Sequence, residues 1–98
     1  ESYYLDTLLR MYNNSILLGD LNRHPEDFDN DYFFEDYNYS LSVNEYTNFV
    51  NTKCYDNFIF TKPMYYKGTV YSYQDTFNLT NELTEDISDH KPVYIIIP

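Results

Sequence analysis

The chain has 98 residues, 13 of them Tyr and 7 Phe, no Trp, only 2 Gly, and a formal net charge of −10. That length accommodates one small domain with a modest core, and the ordinary apolar fraction argues against a wholly disordered chain. The charge excludes gripping a polyphosphate through the chain's own Lys and Arg. Phosphate chemistry here needs a bridging cation, and excess carboxylate attracts hard divalent ions.

Leu5, Leu8, Leu9 and Tyr12 recur at i, i+3, i+4 and i+7, which predicts one apolar helix face over residues 2 to 13, ended by "NNS". Ile16, Leu17 and Leu18 then form a short apolar run closed by Gly19, which reads as a strand buried on both faces. Residues 22 to 48 are polar, acidic and aromatic. They predict a long loop with one short element around Tyr32 to Phe34, and a loop of that length is often functional. "YDNFIFT", residues 55 to 61, predicts a second strand stopped by Pro63. "GTVYSY", residues 68 to 73, alternates as an edge strand does. An acidic connection with one helical turn near Leu83 spans residues 75 to 87, and "VYIII", residues 93 to 97, is the last and most apolar strand.

Cys54 is alone, which rules out an internal disulfide and a cysteine zinc site and predicts a small buried residue. Sequons at Asn13, Asn38 and Asn78 hint at a secreted, extracellular protein. A signal peptide and a membrane-spanning run are not evident, so no membrane partner is expected, and the chain opens on a helical pattern as a fragment or processed piece would.

Three strands carry acids at their ends. Asp20 and Asn22 follow the first, Asp56 opens the second, and Asp89 and His90 precede the last. If the first strand runs antiparallel to the other two, these groups meet at one sheet edge. A carboxylate such as Asp56 would fix the tautomer of the His90 imidazole and stabilise its cation. Alternation along an extended chain would turn Asp89 to the opposite face from His90, free to hold a divalent cation. Asp20 could orient or deprotonate a water, and Asn22 could donate a hydrogen bond to developing negative charge. Together these groups equip a site to attack a phosphodiester with water. Each alone has an ordinary explanation, because an acid flanking a strand is most often a turn or cap residue. His24, in "NRHPED", reads as a loop-surface residue.

"LLGDLN", "CYDNFIF" and "SDHKPV", in this order, resemble the recurring signatures of the endonuclease/exonuclease/phosphatase superfamily. Within it the likeness is strongest to deoxyribonuclease I. "TKCYDNFIF" is similar to the stretch around that family's second disulfide Cys, and "FNLTNELTEDISDHKPV" to its run into the final strand. The likeness is uneven and fails over residues 25 to 50.

The resemblance implies an α+β fold, half of a two-sheet β-sandwich flanked by helices, with mostly antiparallel strands. It also implies a metal-dependent endonuclease that hydrolyses DNA phosphodiester bonds with Mg2+, or with Ca2+ or Mn2+. Asp20 and Asn22 then match the residues that handle the water and the transition-state phosphate. Asp56 matches the acid paired with the catalytic His, His90 matches that His, and Asp89 matches a metal-binding acid.

The sequence also departs from the family pattern. A complete domain of this family is far longer, so residues 1 to 98 correspond to its C-terminal part. The N-terminal half, expected to carry a metal-binding Glu and a second His–acid pair, would be a partner in the same protein or a separate chain. Alone, the chain is expected to be unstable and inactive, because one sheet of a sandwich leaves an apolar face bare. The partner of the matched disulfide is missing from "NRHPEDF", so the bridge is absent. Two other readings stand beside the nuclease. One is another phosphoesterase of the superfamily, such as a sphingomyelinase or inositol-phosphate phosphatase. The other is a non-catalytic subunit or remnant that keeps the fold as an interaction surface.

Overall fold

The computed structural model of the chain describes residues 7–8, 11–12, 14–29 and 39–98. Residues 7, 8 and 11 are helical, in keeping with an opening helix, whereas Leu5 and Leu9 lie outside the described residues. So does the short element expected around residues 32 to 34.

Strand β1 (Ile16–Asp20) pairs antiparallel with β3 (Asp56–Thr61), and β3 pairs antiparallel with β2 (Tyr39–Leu41). The sheet order is therefore β1-β3-β2, with the second predicted strand at its centre. A separate two-stranded sheet joins β4 (Thr69–Val70) to β5 (Val93–Tyr94). The chain is thus α+β, with antiparallel strands in two small sheets.

Alternation along β3 explains how both faces of the central strand are covered. Ile59, fully buried, packs on one face against Phe28, with Leu17, Leu21, Tyr39 and Leu41 around it. Phe58 and Phe60 point the other way and pack with Val43 and Cys54 and with Val70 and Val93 of the second sheet. Phe28 belongs to helix α1 (Pro25–Asp29), which opens with Pro at a position where its missing N–H costs nothing. The long loop expected from residue 22 onward is therefore interrupted by α1 and β2, each too short to leave a periodic pattern.

Asn57 closes the gap where β2 ends. Its buried side-chain oxygen accepts from the N–H groups of Ser42, Val43 and Phe58 at 3.2, 2.9 and 2.8 Å, and its amide donates to the Val43 carbonyl at 2.8 Å. One side chain thereby continues the ladder past Leu41 and satisfies groups that burial would otherwise strand.

Residues 73 to 87 are more regular than the sequence suggests. Helix α2 (Tyr73–Phe77) starts at Ser72, whose hydroxyl accepts from Asp75 N–H, and stops at Asn78 in the left-handed conformation, φ 52°. Helix α3 (Asn81–Ile87) starts at Thr80, which accepts from Leu83 N–H. Hydroxyl caps satisfy the first free N–H groups of each helix. Tyr73 therefore lies in a helix and not in the strand expected over residues 68 to 73, of which only Thr69 and Val70 pair. The terminal apolar run also pairs less than expected, because β5 stops at Tyr94 and leaves Ile96 75% and Ile97 59% exposed. β1 is not buried on both faces either: Leu17 packs on the core while Leu18 is 65% exposed.

Candidate active site

Cross-strand register places the first two acids. Asp20 ends β1 directly opposite Asp56, which opens β3. Gly19 precedes Asp20 with φ +149°, a backbone geometry that side-chain-bearing residues rarely adopt. Two like charges facing each other across a ladder repel, so the pair needs a positive group beside it.

His90 supplies one. It follows α3 through Ser88 and Asp89, and its N–H donates to the Ser88 hydroxyl at 3.0 Å. Tyr73 anchors the start of this segment, with its hydroxyl 2.9 Å from the Ser88 carbonyl and 3.1 Å from that of Thr84. The His90 Nδ1–H donates to Asp56 Oδ2 at 2.8 Å. This leaves Nε2 of the neutral ring as a proton acceptor. The hydrogen bond to Asp56 holds the imidazole pKa above its ordinary 6.5, opposed by partial burial and aided by the charges of Asp56, Asp89 and Asp20.

Asp20, Asp56 and His90 each offer a ligand atom, and these atoms lie within 4.8 Å of one another. Two carboxylates suit a hard divalent cation, and the imidazole broadens the set toward Mn2+ and Zn2+. The cluster opens on a cleft of ≈ 480 Å³ walled by Leu18, Phe58, Ile87 and Val93.

The grouping reaches Asp20, Asp56 and His90 as the sequence led one to expect, but by a different route. His90 comes from the segment before the second sheet and not from the edge of a shared sheet. Asp89 does not turn to the opposite face. Its Oδ1 stands 3.7 Å from His90 Nε2, on a side chain 86% exposed. Side-chain alternation does not apply there, because Asp89 lies in a bend and His90 makes only an isolated bridge to Asn48. Asn22 is exposed, takes the left-handed conformation at φ 55°, and donates its backbone N–H to Asp20 Oδ1 at 2.9 Å. Its N–H steadies the Asp20 carboxylate, and Asn22 is not among the residues that line the cleft.

His24 is half-buried and not a free surface residue. Its Nδ1 accepts from Cys54 N–H at 3.4 Å and its ring meets Tyr55 edge-on at 5.0 Å. Cys54 is buried as expected, and burial pushes its thiol pKa up, against a role as nucleophile. No helix among the described residues is long and apolar enough to cross a membrane. Tyr73 and Thr47, both wired to the site, were missed by sequence reasoning. Ser72, three residues before Asp75, was a readable helix start, whereas Thr47 belongs to no motif.

Compared with known proteins, the chain matches no family model, no curated protein and no solved structure.

Proposed function

We propose that this chain is the catalytic C-terminal part of a deoxyribonuclease I-like, metal-dependent endonuclease of the endonuclease/exonuclease/phosphatase superfamily. The observation that carries the reading is the Asp56–His90 hydrogen bond of 2.8 Å with the Asp20 carboxylate beside it at an open cleft. In this reading Asp56 keeps the proton on Nδ1, so that Nε2 of His90 can exchange a proton with the water or the leaving oxygen. Asp20, steadied by the Asn22 N–H, orients the attacking water. The Asp89 carboxylate, beside His90, is the one this reading gives to Mg2+, which would offset the charge building on the phosphate. Ca2+ or Mn2+ would serve in its place.

DNA is the proposed substrate, and at a net charge of −10 its approach depends on that cation. The remaining half of the domain is the proposed partner. Leu18 and Ile87 at the cleft, and Ile96 and Ile97 beyond β5, are each more than half exposed, apolar surface that a second layer would cover.

The test is plasmid nicking in Mg2+ by the complete protein, with and without His90→Ala. Nicking that EDTA abolishes, and that falls about 10³-fold or more in the variant, is the expected result. A folded complete protein that leaves plasmid intact would end the nuclease reading and turn attention to phospholipid and inositol-phosphate substrates.

A further inference from the structure

We propose that Thr47 is the positioning residue that holds Asp56 and His90 in register. Asp56 and His90 belong to different parts of the fold: the first opens the central strand, and the second ends a turn that leads into the other sheet. Thr47 touches both sides. Its hydroxyl oxygen lies 3.3 Å from the Asp56 N–H and 3.2 Å from the Tyr55 N–H, accepting from both, and donates to the Lys53 carbonyl at 3.4 Å. Its own N–H donates to the same carbonyl at 2.8 Å. On the other side, its carbonyl accepts from Lys91 N–H, the residue after His90, at 2.7 Å. Phe49 N–H donates to the Asp89 carbonyl at 2.7 Å, and Asn48 bridges His90 between them.

Thr47 is 1% exposed, so these bonds do not compete with water. A hydroxyl can accept from two backbone N–H groups and donate to a carbonyl through a single atom. A β-branched residue also holds that hydroxyl in a restricted set of rotamers. The path from the Asp56 backbone to the His90 backbone therefore runs through one buried residue and two hydrogen bonds. Loss of the hydroxyl lets the Asp56 end of β3 move relative to the imidazole.

The kinetic arm of the test rests on the nuclease reading; the spectroscopic arm does not. 15N shifts of the His90 imidazole, read on the alkaline plateau of their own pH titration, report the share of the Nδ1–H tautomer that Asp56 selects. The complete protein is expected to show mainly Nδ1–H. Thr47→Val should shift the ring toward the Nε2–H form, and Thr47→Ser, which keeps the hydroxyl, should restore it. In nicking, kcat of Thr47→Val should fall about 10- to 100-fold, with KM within about 2-fold. A Thr47→Val protein with an unchanged tautomer overturns the inference, whatever its activity. Unfolding of both Thr47→Val and Thr47→Ala would overturn it too, because Thr47 would then hold the fold and not the pair. If the unsubstituted protein fails to nick, the nuclease reading falls while the tautomer result still decides the role of Thr47.

Discussion

The two sheets of this molecule are built to different standards. In β1-β3-β2, the central strand has five of its six residues buried and is hydrogen-bonded on both sides. In β4-β5, each strand is two residues long, neither is buried, and Ile96 and Ile97 beyond β5 are exposed. The acids of the candidate site stand on the first sheet, and its imidazole stands on the approach to the second. The comparison teaches that the carboxylates have a rigid mount while His90 is held in place by individual hydrogen bonds from Ser88, Tyr73 and the 47–49 segment. A site assembled this way depends on connectors as much as on its reacting groups.

The largest effect that would test the contrast comes from truncating one residue in each sheet region. Phe60 is fully buried in β3, whereas Ile96 is 75% exposed beyond β5. Phe60→Ala should cost about 3–5 kcal/mol, and Ile96→Ala should stay within about 0.5 kcal/mol. Urea denaturation midpoints of the two variants check this directly. Comparable losses would mean that the apolar tail carries structure of its own and that the contrast is false.

A smaller loss is expected where the first sheet depends on one polar side chain. Asn57→Ala removes the acceptor of three buried N–H groups. It should cost about 2–4 kcal/mol, above an ordinary hydrogen-bond deletion, because stranded donors carry their full desolvation penalty. Native-state hydrogen exchange sharpens the result: protection should fall first at Ser42 and Val43. An Asn57→Ala protein with undiminished protection there would show that the bonds are dispensable.

The same contrast explains what the sequence disclosed. Ile16 to Leu18 and Phe58 to Phe60 are apolar runs bounded by turn residues, and both are strands where expected. Their register then brings Asp20 opposite Asp56 without further information. The weaker half was harder to read. "VYIII" has the composition of a buried strand, but only Val93 and Tyr94 have a partner to pair with, and pairing is a property of the neighbour as well as of the run. Helices α2 and α3, at 5 and 7 residues, are too short to show an apolar period and depend on the hydroxyls of Ser72 and Thr80. Asp89 was placed by strand alternation in a stretch that turns. The link from Thr47 to Asp56 is a side-chain hydrogen bond to a backbone group 9 residues on, which no local pattern encodes.

The smallest effect concerns the pair that joins the two regions. The Asp56 hydrogen bond raises the His90 pKa in the folded protein above its ordinary 6.5, with the charges of Asp56, Asp89 and Asp20 adding to it and partial burial opposing. A raised folded pKa means that folding favours the protonated imidazole. The stabilisation is therefore fully present below the unfolded value, and it is lost as pH rises through the folded value. The His90 side chain is 43% exposed, so solvent screening keeps the contribution below about 1 kcal/mol. The stability gap between the unsubstituted protein and His90→Gln should be larger at about pH 5.5 than at about pH 8.5. Denaturation midpoints at the two pH values measure it, and a gap that widens toward alkaline pH would contradict the assigned pairing. Asp56→Asn keeps an acceptor for the Nδ1–H but removes the charge, and it should flatten the dependence. The charge on Asp56, and not only the shape of the contact, would then be what ties the imidazole of the weaker region to the rigid sheet.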